Sequence, residues 1–483
     1  MIKIRPVRIG QPPMTSMPSS SASSPSSTSS PPMQLLPASD LWEIQRAWYE
    51  RSALDAYKSS TLAHWISSNS FIAARYANLC IAYAQDCWGA DAARANSNAG
   101  DGNHEPIHIV ELGAGHGKMG FLVLTHLVRL REFWPAPGAF RYVLTDCCEQ
   151  SLQFWAGHPS LQGFFKAGLC DYARFDAEKD TEIHLERAGI TLKRGPTLCR
   201  PMIVLANYVF SALRQDYFQV FGGKGMPAPL LRAHCGLTWE SDGVGVGDGN
   251  TTGESGRNDS DRSNDYTARP DDSAPKKMPE SLDGCRIEWD YRAVEPDANG
   301  DDGPMSVYRN TDPVLGRILG EYVEASSRGG GGGSGKTRSI NGSVSDGGTD
   351  YSLAIPLGAT RCVRNIAKMC PGGRCLMIVG DKAWGDMCDL ESTARDPHVV
   401  FHGSVSFMVN MHALRRYVEE LGGFALRGNN ASVGFKVEAY VVGGQTKMAF
   451  PKLRRKVSIT YILGFVVVVV LLLRRLLTKI QLI

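Results

Sequence analysis

The sequence predicts a doubly wound α/β fold with a mostly parallel, Rossmann-like sheet, and three observations carry that prediction. An apolar run, 108–112, enters a glycine cluster directly, and a helical pattern over 118–133 follows it. Further short apolar runs recur at 142–145, 203–206 and 375–379, the last after a helical stretch over 358–369. Strands alternating with helices build parallel sheets, because each right-handed crossover returns the chain to the same edge.

Helical spacing also marks the region before the first strand. Leu41, Ile44 and Trp48 recur at helix intervals, as do Ile72, Tyr76 and Leu79 after the break at 67–70. Asp40 and Asn69 are the candidate N-caps. Residues 40–105 therefore read as an N-terminal helical subdomain and a polar connector, and 106–444 as the α/β domain. Two tracts rich in Gly, Ser, Asp and Asn, 241–284 and 326–348, read as flexible insertions, carried on a surface at small entropic cost. Between them, 285–294 alternates like a strand and 313–325 reads as a helix.

Composition bounds the function. The chain has 483 residues, 43% hydrophobic, which suffices for one large domain or two modest ones. A formal net charge of +3 gives no case for a nucleic-acid partner. The 12 cysteines are scattered without paired Cys-x-x-Cys knuckles, so they read as buried thiols in a reducing compartment rather than zinc ligands.

The ends stand apart. Residues 1–39 hold Lys3, Arg5 and Arg8, many Ser and Pro, and no acid. That composition suits a disordered tail, with an organelle transit segment as the alternative. At the other end, Lys452, Arg454, Arg455 and Lys456 precede an apolar run over 457–473, closed by Arg474 and Arg475. Its 17 residues are at the short end of what spans a bilayer, so a C-terminal apolar helix anchoring the chain to a membrane is expected, with a soluble cytoplasmic or mitochondrial protein as the alternative.

The chemistry concentrates in Glu111-Leu112-Gly113-Ala114-Gly115-His116-Gly117-Lys118. A cofactor approaching the carboxyl end of a first strand needs bare backbone, which Gly113, Ala114 and Gly115 offer. Gly117 lets the helix start beside the strand, with its N–H groups facing an anionic ligand group. The spacing is neither Gly-x-Gly-x-x-Gly nor a phosphate loop. Glu111 favours S-adenosylmethionine, since a carboxylate suits its cationic methionine end. Asp146, at the next strand end, suits the ribose hydroxyls, with Glu149 as the competing residue. Asp171 and Asp176 flank Phe175; an acid there, Asp176 in this assignment, suits the adenine amino group. The run 204–206 opens into Asn207, Tyr208 and Phe210, so Asn207 and Tyr208 are the catalytic candidates on the acceptor side, with core packing as the competing role for the aromatics.

These residues resemble class I S-adenosylmethionine-dependent methyltransferases. Glu111 to Gly117 matches that family's first motif. Ala206 to Leu213 resembles the fourth-strand segment of the MidA-like branch, which includes a mitochondrial protein-arginine methyltransferase; Tyr208 stands where that branch has Glu, and Ser211 where it has Asp. The strings Val379-Gly380-Asp381-Lys382 and His402 to Asn410 resemble uncharacterised methyltransferase-like proteins. The resemblance covers 40–443 less the insertions. It implies methyl transfer from S-adenosylmethionine to an acceptor left open, a protein side chain or a small molecule. The competing implication is a methyltransferase-like scaffold without turnover. Ser404, Ser406, His402 and His412 lack the Gly-x-Ser-x-Gly elbow of a hydrolase and fit a substrate-side cap or satisfied hydrogen bonds. Asp381 and Lys382 read as an ion pair near the pocket.

Overall fold

The structure is a computed structural model that describes residues 31–58, 68–94, 105–195, 197–221, 230–239, 279, 281–296, 300, 303–328, 351–391, 396–401, 403–427, 434–443 and 450–457. The two insertions and the N-terminal tail fall largely outside the described residues. The strand Gln34–Leu35 nevertheless pairs antiparallel with Leu230–Trp239, and Leu36 beside it is fully buried.

The central sheet runs in the order Phe424–Arg427, Gly434–Val442, Cys375–Trp384, Met202–Asn207, Ile107–Leu112, Phe140–Asp146, Cys170–Arg174. The last five are parallel to one another; Gly434–Val442 and Phe424–Arg427 pair antiparallel at one edge. All six residues of Ile107–Leu112 are buried, as a strand covered on both faces requires. Alternate residues serve the two faces. Ile107 and Ile109 pack with the helices Ser70–Arg94 and Lys118–Arg129. Val110 and Leu112 pack with Leu357–Met369 and Met411–Glu420. The chain reverses its direction across the sheet between Ile107–Leu112 and Met202–Asn207. Such a switch point opens a crevice outside the strands' carboxyl ends.

A second sheet, wholly antiparallel, joins Asp216–Val220, Leu230–Trp239, Tyr351–Ile355, Cys285–Ala293 and Gln34–Leu35. Sequence reasoning finds Cys285–Ala293 but not this sheet. The helix Leu41–Lys58 lies near it through Leu41, Trp42 and Ile44, which share a core with Tyr217 and Ala233. Of the two candidate caps, Asn69 acts: its Oδ1 accepts from the N–H groups of Phe71 and Ile72, both at 3.1 Å. The Asp40 side chain instead accepts from Gln34.

The membrane-anchored localisation needs correction. Among the described residues no helix is long and apolar enough to cross a membrane. Residues 451–457 are helical and are used by the domain itself. Leu453 and Val457 are buried in the same core as Phe424 and Tyr83, and Asp86 accepts the N–H groups of Lys452 and Leu453 at 3.3 and 2.9 Å. The expected apolar C-terminal helix over 457–473 thus begins as core; beyond Val457 it lies outside the described residues.

Candidate functional site

The crevice at the switch point holds a cavity of about 450 Å³, within the range of small-ligand sites. The glycine turn forms one rim. Gly113, Gly115 and Gly117 all adopt left-handed backbone, with φ of 56°, 55° and 73°. A side chain on Gly117 would also press within 3.0 Å of the Trp155 indole nitrogen. Trp155 in turn donates to the Gly115 carbonyl at 2.9 Å, which pins the turn from beneath. The helix Lys118–Arg129 starts immediately after Gly117.

Two hydrogen bonds tie the first strand's loop to the second strand. Gly115 N–H donates to Oδ2 of Asp146 at 2.9 Å, and Ala114 N–H to the Thr145 carbonyl at 2.9 Å. Cys148 N–H donates to the other Asp146 oxygen at 3.0 Å, so both carboxylate oxygens are fixed at the cavity wall. Glu149 is exposed and does not line the cavity. Asp171 is also elsewhere: it is buried and accepts from the N–H groups of Arg187 and Ala188. Phe175 and Asp176 do line the cavity.

Glu111 lies at the cavity floor, almost fully buried, and accepts from the Tyr142 hydroxyl at 2.8 Å. Burial pushes its carboxyl up to about 8, and the nearby Asp146 charge adds to the rise. At neutral pH in the free protein it is therefore mostly a neutral acid, not the carboxylate the sequence reading assumes.

Across the switch point stand Asn207 and Tyr208. Asn207 Oδ1 accepts from the Tyr76 hydroxyl at 3.4 Å. Tyr208 has φ of 57°, the one left-handed non-glycine residue among the described residues. Its N–H donates to the Gly380 carbonyl at 2.8 Å, and its ring stacks on Phe435 at 5.2 Å. Burial, with Asp381 nearby, pushes its phenol up to about 12. Strained backbone held by packing at a crevice is a mark of functional sites.

Sequence reasoning missed the roof. Trp42, Gln45, Arg46 and Tyr49, at helical spacing on Leu41–Lys58, all face the cavity, as does Tyr57. Tyr57 stacks on His116 at 4.4 Å with the rings 3° from parallel, over Gly115. The hairpin Val399–Phe401 with Val405–Phe407 closes the other side. Gln45 donates to the Val405 carbonyl at 2.7 Å and Trp42 packs on Phe407. A stripe mixing Trp, Gln, Arg and Tyr on one helix face was the available signal. Ser406, on that hairpin, lines the cavity; His412 does not, and shares a 2.7 Å hydrogen bond with the Tyr322 hydroxyl. Asp381 and Lys382 do not pair: their side chains go to Ser211 N–H and to Ser406.

No family profile and no curated protein matches this sequence. Solved structures do. An uncharacterised superfamily protein from Burkholderia thailandensis is 13% identical, over 87% of this chain and 90% of that one, at a TM-score of 0.41. A methyl-transferase candidate of the same superfamily and organism, bound to S-adenosyl-homocysteine, is 12% identical over 78% and 77%, at 0.39. The CurJ carbon methyltransferase is 20% identical over 23% and 24%, at 0.15. Overlaps this loose leave a functional assignment to the residues of this chain.

Proposed function

We propose that this chain is an S-adenosylmethionine-dependent methyltransferase. The observation that carries the reading is the convergence, on one switch-point cavity, of a left-handed glycine turn before a helix and of Asp146, Asp176 and Asn207 at the ends of neighbouring strands. The residues fit the group: bare backbone at Gly113, acids for hydroxyl and amino donors, and the Phe175 ring for an aromatic base. Gly113, Ala114, Gly115 and Gly117 would hold the methionine end, Asp146 the ribose and Asp176 the adenine side. Bound there, S-adenosylmethionine supplies an electrophilic methyl group on a sulfonium.

The protein's own part is positioning and exclusion of water. The helix Leu41–Lys58 and the hairpin 399–407 roof the cavity. Asn207 and Tyr208 orient the acceptor, a protein side chain or a small molecule, against the glycine rim. A second reading, a scaffold without turnover, has one observation in its favour: the Tyr57 ring covers Gly115. Calorimetric titration of S-adenosylmethionine into the full chain, beside Gly115→Arg and Tyr57→Ala, separates the two. Saturable binding lost in Gly115→Arg is expected. No binding by a folded chain and its Tyr57→Ala variant removes the enzyme reading and leaves the scaffold.

A further inference from the structure

The charges around the cavity are segregated. Its four acids among the described residues, Glu111, Asp146, Asp176 and Glu178, all belong to the first three strands of the sheet or the loops after them. Two are neutralised in place: Asp176 by Arg46 at 2.6 Å and Glu178 by Arg214 at 2.5 Å. Beyond Asn207 the lining among the described residues carries two cations and no acid: Arg214, already paired with Glu178 and Glu43, and Lys382. Gly380 lies in register with Asn207, so the strand Cys375–Trp384 runs past the sheet's carboxyl edge and carries Lys382 to the cavity.

Lys382 donates to Ser406 twice, to Oγ at 2.6 Å and to the carbonyl at 3.1 Å. An ammonium has three donors, and the third has no partner in the protein among the described residues. Asp381 is the charged group that acts on it, from within the core. That carboxylate accepts from the N–H groups of Ser211 at 3.0 Å and Lys382 at 2.8 Å, and it does not line the cavity. Burial brings the Lys382 ammonium down to about 8. The same cavity is lined by the aromatic side chains of Trp42, Tyr49 and Tyr208.

We propose that Lys382 is the anion-recognition residue of the acceptor site, and that the acceptor carries a deprotonated oxygen, phenolate or carboxylate, on an apolar body. The proposal rests on the methyltransferase reading and gives it a substrate class. A guanidinium or ammonium acceptor would find no carboxylate on that wall, and would face a like charge. An oxyanion has already given its proton to water, so the transfer needs no base. Its lone pair forms the O–C bond as the C–S bond breaks, and that bonding pair leaves on sulfur as a neutral thioether.

The test uses the full chain and two probes. 4-Nitrophenol reports its ionisation by the colour of its phenolate; benzoate, read by calorimetry, is the carboxylate arm. A bound phenol should ionise at lower pH than in water. In Lys382→Met the shift should disappear and affinity for the preferred probe should fall at least about tenfold, the loss of one charged hydrogen bond. Lys382→Arg should keep the shift, and Ser406→Ala, which leaves the ammonium in place, should keep most of it. Colour change without benzoate binding assigns a phenolic acceptor, and the reverse a carboxylic one. Failure of both probes to bind, or binding undiminished in Lys382→Met, overturns the proposal. S-Adenosylmethionine titrated into the same samples keeps the two readings apart. Its failure with intact probe binding removes the methyltransferase reading; its success with failed probes removes only the oxyanion acceptor.

Discussion

Arg46, on the first long helix, holds Asp176 at 2.6 Å, although 130 residues separate them. This contact joins the roof of the cavity to the loop after the third strand. Burial alone would raise the Asp176 carboxyl; the hydrogen bond and charge of Arg46 outweigh it and hold the group below the usual range. The pair therefore contributes stability above the unfolded carboxylate's pKa, and that contribution is lost in acid as Asp176 takes up a proton.

Removing Arg46 should leave a half-buried carboxylate without its main partner. For Arg46→Met the expected loss is about 1–2 kcal/mol of stability at neutral pH, since both groups keep some contact with water. Asp176→Asn in the same background should restore part of it. A double-mutant cycle by urea denaturation measures the coupling. A coupling near zero would mean that the roof is held by its other contacts, among them Gln45 to Val405, Trp42 on Phe407, Tyr57 on His116 and Glu43 with Arg214.

Tyr208 carries a second prediction. Its left-handed backbone costs roughly 1–2 kcal/mol, and its stacking on Phe435 returns about 0.5–1.5 kcal/mol. Tyr208→Gly gives up both together with the burial of the ring, so gain and losses oppose one another and stability should change by no more than about 2 kcal/mol. If the ring orients the acceptor, kcat/KM for methyl transfer should fall by more than about tenfold while the melting temperature scarcely moves, the mark of a lost transition-state contact. A large drop in melting temperature with unchanged kcat/KM would reduce Tyr208 to a packing residue.

The first motif was legible because it is local: strand, turn and helix occupy eleven consecutive residues, 108–118, and a glycine demand of that kind leaves a direct trace. Four of the central strands were legible for a similar reason, since burial on both faces makes them mostly apolar; Cys170–Arg174, with Asp171 and Arg174, and the two antiparallel edge strands were not. The second sheet was not. Asp216–Val220 pairs with Tyr351–Ile355 across the whole inserted region, and nothing in either strand names its partner. Arg46 carried no signal in the sequence because its partner, Asp176, lies 130 residues away. Asp381 and Lys382 misled through adjacency: neighbours on a strand point to opposite faces, so one enters the core and the other the cavity. The apolar run after 456 read as a membrane helix because hydrophobicity alone does not distinguish lipid from protein core. Val457, the one residue of that run among those described, is buried in the domain core.

Glu111 gives the sharpest pH test. Its folded pKa of about 8 lies above the ordinary carboxylate value, so between the two the folded chain keeps a proton that the unfolded chain has released. The contribution is fully present below the unfolded pKa, shrinks as pH rises, and is gone above about pH 8. Its slope is at most about 1.4 kcal/mol per pH unit. Glu111→Gln keeps an acceptor for the Tyr142 hydroxyl and cannot ionise, so it should flatten stability against pH across that window. Parallel curves for the two proteins would mean that Glu111 is already ionised. The same group connects to the cofactor. A sulfonium or ammonium brought near Glu111 would restore its charge and expel the proton, so S-adenosylmethionine binding near about pH 7 should release up to one proton. Calorimetry in two buffers of different ionisation enthalpy counts that proton, and Glu111→Gln should bring the count towards zero. A count unchanged by the substitution would place the cofactor's cationic end away from Glu111 and turn the acid's role into one of holding Tyr142 and the glycine turn.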